Sequence, residues 1–144
     1  TIVQLHLAEK GKEFSDLIGR ANAVLVDAPC SGIGTFRRNP AAKLSFTQEY
    51  VERIAKTQRS VLETYAEMVK SGGRLVYTTC TLLRKENEDV VESFLQSNSK
   101  FSLISASEIL GRQNIPIESS SNYLTLLQHK NGTDGFFAAI FQKM

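Results

Sequence analysis

Residues 24–34 read VLVDAPCSGIG, a short β-branched run that ends in an acid, a proline and a thiol. Residues 74–81, RLVYTTCT, repeat the plan: an apolar run, polar residues, then a cysteine. Continuous apolar runs of this kind are expected of strands buried on both faces. Between them, Val51, Ile54, Ala55, Gln58, Val61, Leu62, Tyr65 and Val69 recur at the helical period, which predicts a helix from Thr47 to Lys70. Strand, helix, strand is the repeating unit of a parallel α/β sheet. In such sheets ligands gather beyond the carboxyl ends of the strands. That places Asp27, Cys30 and Cys80 on one rim.

The flanking segments extend the pattern. TIVQLHL (1–7) alternates apolar and polar as a half-exposed strand does. KEFSDLIGR (12–20) predicts a short helix ending near Gly19. Ser45 and Gln48 have the spacing of a capping box for the long helix, and Gly72 and Gly73 are expected to stop it. KENEDVVESFLQS (85–97) predicts a helix with Glu86, Glu88 and Asp89 at its start, where the helix dipole favours acids. FSLIS (101–105) is an expected strand. Ala106 to Asn122, with Gly111, Pro116 and the serines 119–121, reads as irregular loop. YLTLLQH (123–129) and GFFAAIFQ (135–142) are expected closing strands, separated by a turn at Asn131-Gly132.

The bulk properties set bounds. A chain of 144 residues, 42% hydrophobic and 22% charged, is enough for one globular domain, 1–144, with a real core. The 17 basic and 15 acidic side chains leave a formal charge of +2, which permits nucleic-acid binding without demanding it. FFAAIF (136–141) is the longest apolar run, well short of the roughly 20 residues that span a bilayer, so no membrane partner is expected. The two cysteines form neither a CxxC nor a Cys/His cluster. No zinc or other metal is expected, and free thiols suit a reducing, cytoplasmic location.

The residues alone leave the thiols open. A free cysteine packs as a small hydrophobe more often than it reacts. A nucleophilic one needs access and a depressed pKa, which strand-end loops can supply.

Three segments carry a resemblance. DAPCSGIGTFRRNP (27–40) resembles the motif after the fourth strand of RNA (cytosine-5) methyltransferases of the Sun/Fmu type. SGGRLVYTTCTLLRKENEDVVESFL (71–95) resembles their next motif, a strand followed by Thr-Cys-Ser/Thr and Glu-Asn. NGTDGFFAAIFQK (131–143) resembles their C-terminal Asp-Gly-Phe-Phe strand. The order is right, and together the three are specific.

The resemblance implies an α/β fold, the Rossmann-like class I methyltransferase sheet with an antiparallel last strand. It implies methyl transfer from S-adenosylmethionine to C5 of a cytidine in ribosomal or transfer RNA. Cys80 matches the family nucleophile that adds to C6 of the base. Cys30 matches the thiol that assists release, and Asp27 the acid that hydrogen-bonds the cytosine edge. Asp27 and Pro29 match the cofactor side of the motif, while Arg37, Arg38 and Thr79 match RNA-binding positions. In DNA cytosine-5 methyltransferases the Pro-Cys thiol attacks instead, which would give Cys30 the role assigned to Cys80.

Other features temper or extend this expectation. Ser31-Gly32-Ile33-Gly34 lacks the spacing of a dinucleotide loop, and its glycines are expected to let backbone approach a flipped base. Gly135 and Phe136 are expected to pack in the sheet. Leu44 stands where the family usually has a tryptophan or similar large residue, and Gln128 where it often has a proline. Neither the glycine-rich cofactor turn nor the ribose-binding acid is found before Asp27. The chain is therefore expected to be the C-terminal half of a catalytic domain, an incomplete sheet that is inactive alone. Its first strand, or a second copy in a dimer, would cover the open edge of the strand at Val24 to Asp27. Two rivals stand beside the enzyme: a non-catalytic RNA-binding module that keeps the fold, and a thiol redox protein, which needs its two sulfurs within bonding reach.

Overall fold

The computed structural model describes residues 15–115, 117 and 122–144. The expected strand at 1–7, and with it the question of what covers the sheet edge, lies outside the described residues, as do residues 12–14 of the expected first helix. A single 3-10 turn at Ser15–Leu17 stands at the end of that segment.

The strand–helix–strand unit forms as expected. β1 (Ala21–Asp27) leads through a loop to α1 (Gln48–Ala66) and then to β2 (Val69–Thr79). The two strands pair in parallel, with Val24 opposite Leu75 and Asp27 opposite Thr78. α1 buries Val51, Ala55, Leu62 and Ala66. Its cap is Thr47, whose hydroxyl accepts from the Tyr50 amide at 3.1 Å. The cap thus falls two residues later than the expected box would put it, and the Gln48 side chain donates to Glu52 Oε1 at 3.1 Å. The helix also stops before Gly72 and Gly73. Both lie inside β2, where Gly73 is buried so closely that an added Cβ would stand 2.8 Å from a Val69 methyl.

Beyond β2, a 3-10 turn (Arg84–Glu86) precedes α2 (Glu88–Ser97), which is followed by β3 (Phe101–Ile104). The expected irregular segment contains α3 (Ala106–Arg112), anchored by buried Ala106. β4 is only Leu124–Leu126. The rest of the expected strand there turns into α4 (Gln128–Asn131), which ends on left-handed Gly132. β5 (Phe136–Lys143) runs antiparallel to β2, β3 and β4 and lies between β2 and β3, giving the order β1-β2-β5-β3. This is the open α/β sheet with an antiparallel last strand that the resemblance implied.

The helices α1 and α2 cover one face of the sheet. Val26, Leu62, Leu75, Tyr77, Val90, Val91, Phe94, Phe137, Ala139 and Phe141 form the core there. The Phe94 ring lies 5.2 Å from Phe101 and 5.1 Å from Phe141. Burying each such side chain contributes about 1.5–3 kcal/mol. The opposite face carries a row in register, Leu25, Val76, Ile140 and Ile104. Leu25 is 68% exposed. β1 is therefore not buried on both faces as its composition suggested. Among the described residues β1 is also an edge strand.

Candidate active site

The rim predicted from the sequence exists, and two loops build it. Past β1, the pairing with β2 continues for one residue, the Ala28 amide donating to the Thr78 carbonyl at 2.9 Å. The chain then turns through Pro29, Cys30 and Ser31. Past β2, it turns through Cys80 and Thr81. The two sulfurs stand 3.0 Å apart, and the Cys80 amide donates to the Cys30 sulfur at 3.3 Å. Both thiols are half-buried. Burial pushes the Cys30 thiol up from 9.0 to about 12, reinforced by its hydrogen bond with the Cys80 side chain.

Asp27 lies exposed at the end of β1, where the Thr78 hydroxyl donates to its Oδ1 at 3.0 Å. Pro29 is also exposed, and its carbonyl accepts from the Gln58 amide at 2.9 Å. Arg37 is exposed on the following loop. Arg38 forms an ion pair with Asp134, which raises its pKa further and ties that loop to the segment before β5. Its guanidinium is shared with a carboxylate and stays largely exposed.

Thr79 is fully buried, and its hydroxyl donates to Asn87 Oδ1 at 2.6 Å. It cannot reach RNA from there. Side chains alternate across a strand, so Thr79 shares the helix-covered side with Leu75 and Tyr77, whereas Thr78 points to Asp27. Asn87 returns a bond from its amide to the Thr81 carbonyl at 3.0 Å and so holds the Cys80 turn closed.

The glycines serve the protein's own backbone. A Cβ on Gly34 would stand 2.3 Å from the Gly135 carbonyl oxygen and 2.8 Å from that of Cys80. The Gly34 amide donates to the Cys80 carbonyl at 3.0 Å, and its own carbonyl accepts from the Gly135 amide at 3.0 Å and from Gln128 Nε2 at 2.7 Å. Gly34 is therefore a contact point of three loops, not an approach for a base. Gln128, standing where the family often has a proline, adds a tie that a proline lacks. Leu44, where the family usually has a tryptophan or similar large residue, is 91% exposed.

A buried carboxylate that sequence reading placed at a helix start lies at the centre of the site. Glu86 is wholly buried in the turn before α2. Its Oε2 accepts from the Ser31 amide at 2.8 Å and from Gln58 Nε2 at 3.1 Å. Its Oε1 accepts from the hydroxyls of Ser31 at 2.5 Å and Thr81 at 3.1 Å. The Tyr77 hydroxyl donates to its backbone carbonyl at 2.7 Å. Burial, and then the Glu86 charge, push the Tyr77 phenol well above its ordinary value. One signal for this network was present in the sequence: Gln58 is a polar residue in the apolar stripe of α1, and buried polar groups need partners.

Among the described residues no group of three or more His, Cys, Asp or Glu side chains is placed to hold a metal ion, and no helix is long and apolar enough to cross a membrane.

The chain is 40% identical over 121 residues to a probable ribosomal RNA small subunit methyltransferase B of Bacillus subtilis, covering 83% of this chain and 27% of that protein. It is 35% identical over 126 residues to ribosomal RNA small subunit methyltransferase F of Vibrio cholerae, covering 87% and 26%. The crystal structure of NSun6 from Pyrococcus horikoshii with SFG superposes with a TM-score of 0.67 at 31% identity, covering 83% of this chain and 29% of that one. The chain thus spans about a quarter of the length of these curated relatives. A family model described as 16S rRNA methyltransferase RsmB/F matches residues 3–142, and the chain belongs to that family, within the Sun/Fmu type of RNA methyltransferases.

Proposed function

We propose that this chain carries the base-handling part of an S-adenosylmethionine-dependent methyltransferase acting on C5 of a cytidine in ribosomal RNA. The observation that carries the reading is the pair of sulfurs 3.0 Å apart on the loops beyond the carboxyl ends of two parallel strands.

C5 of cytosine is a weak nucleophile. Addition of a thiolate to C6 moves the ring's electron pair towards C5 and makes it reactive, a form of covalent catalysis. Burial pushes Cys30 up to about 12, so it keeps its proton at neutral pH, which suits proton handling. Attack at C6 is assigned to Cys80. Asp27, oriented by Thr78, hydrogen-bonds the cytosine edge as charge builds up on the ring. Once the methyl group is in place, a base takes the C5 proton, the C5–H electron pair closes the C5=C6 double bond, and the Cys80–C6 bond breaks with its electrons returning to sulfur. Cys30, in contact with that sulfur, assists this elimination.

The rim also suits a cofactor. Asp27 and Pro29 are exposed at the carboxyl end of a parallel strand, the usual place for a ligand in such sheets. They would hold S-adenosylmethionine, which when bound supplies the electrophilic methyl group. The neighbour solved with SFG, an analogue of that cofactor, supports its use here. Arg37 is the exposed cation that would meet an RNA phosphate, and the target base must be unstacked to present its ring face.

The test is trapping of covalent RNA in a methylation-competent enzyme containing this chain. Cys30→Ala should accumulate an RNA adduct that survives denaturing electrophoresis, and Cys80→Ala should form none. The reverse pattern would assign attack to Cys30 and overturn the reading.

A further inference from the structure

Glu86 is the one wholly buried carboxylate among the described residues. Among the described residues it has four donors and no ion-pair partner. Two come from Ser31, next to Cys30; one is the hydroxyl of Thr81, next to Cys80; the fourth is Gln58 of α1. Gln58 passes its second amide hydrogen to the Pro29 carbonyl, on the other side of Cys30. Cys30 is therefore held from both flanks, and Cys80 from one, by a network centred on a single carboxylate. The Ser31 and Thr81 hydroxyls themselves stand 3.0 Å apart. Desolvating a carboxylate costs several kcal/mol unless its lone pairs are satisfied, so this acid holds its site only while both loops are closed on it.

We propose that Glu86 is the positioning residue of the thiol pair: it latches the Cys30 loop to the Cys80 loop and fixes the distance between the two sulfurs. It touches neither sulfur and acts through Ser31, Thr81 and Gln58. The proposal rests on the reading of Cys30 and Cys80 as a working pair.

A purely structural acid would lower stability without changing the thiol geometry of the molecules that remain folded. The test reads that geometry directly. The 144-residue chain is equilibrated in glutathione redox buffers, and the Cys30–Cys80 disulfide is quantified by mass spectrometry after alkylation. In this step two thiols lose two hydrogens to form one S–S bond, and oxidised glutathione takes up the two electrons and two protons. Glu86→Ala should lower the effective concentration of one thiol for the other by about tenfold or more, as loosened geometry does in intramolecular reactions. Glu86→Gln should stay near native, because its amide oxygen can keep the N–H donors while the hydroxyls turn to accept from its NH2.

Circular dichroism identifies which variants are folded. If Glu86→Ala is not, Ser31→Ala decides, since it removes one hydroxyl and keeps the backbone bond; a smaller fall in the same direction is expected. Three results would overturn the proposal: a folded Glu86→Ala, or Ser31→Ala in its place, with a native thiol equilibrium; a Glu86→Gln as impaired as the alanine variant; or a native chain whose thiols never pair. Neither RNA nor cofactor is present, so this test and the adduct test fail independently.

Discussion

A thiol pressed against a second sulfur and shielded from water keeps its proton, and Cys30 shows the consequence for stability. Its pKa is 9.0 when solvated and about 12 in the fold. The unfolded chain therefore loses this proton first. The contribution of neutral Cys30 is fully present below about pH 9 and is lost as pH rises towards 12. Tyr77, whose phenol is also raised by burial, acts in the same direction at higher pH. Urea denaturation should show the midpoint falling across this alkaline range, with a shallower fall for Cys30→Ala. A midpoint equally steep in the variant would show that Cys30 does not titrate between the two states. The place of this residue at a strand end was legible in the sequence, whereas its role came only from the resemblance. Glu86 was not legible, because an acid near a helix start already has an ordinary explanation. Thr79 is held in the core by Asn87, and no residue pattern in the sequence showed that this hydroxyl would be taken up inside the protein.

At the scale of elements, periodicity predicted what packing enforces. The α1 stripe became the buried face of a helix, and its one polar member, Gln58, joined the hydrogen-bond network around Glu86. Helix boundaries were less legible. A Thr at the cap and a Ser two residues before it offer similar chemistry, and only the backbone decides between them. Thr47→Ala should cost about 1 kcal/mol in thermal or urea unfolding, the usual value of an N-cap hydroxyl. Phe94→Ala should cost about 3–5 kcal/mol, because its ring packs between Phe101 and Phe141 at the junction of α2, β3 and β5. Equal losses for the two would contradict this account of where stability resides. The short α3 and α4 escaped notice for a related reason. Each is two turns or fewer, too short for a periodic pattern, and propensity alone is a weak guide at such lengths.

Across the whole molecule, the site is drawn from segments far apart in sequence. The loop after β1, the turn after β2 and the segment before β5 meet at Gly34, whose backbone bonds to Cys80 and Gly135, while Arg38 pairs with Asp134. None of these contacts repeats with a period, so no sequence pattern announces them; the ordered motifs predicted only that the segments belong together. Because β5 lies between β2 and β3 and also pairs with β4, separating the loops requires disturbing the central sheet. The thiols should therefore share the stability of the core rather than open locally. Alkylation of Cys30 at neutral pH in increasing urea should stay slow until the transition seen by far-UV circular dichroism, and then rise with the same midpoint. Gly34→Ala, whose new methyl would press on the Gly135 carbonyl, should release Cys30 to alkylation at lower urea than the sheet melts. Rapid alkylation of Cys30 in the native chain well below the midpoint would show that its loop opens on its own, and the coupling of rim to sheet would be lost.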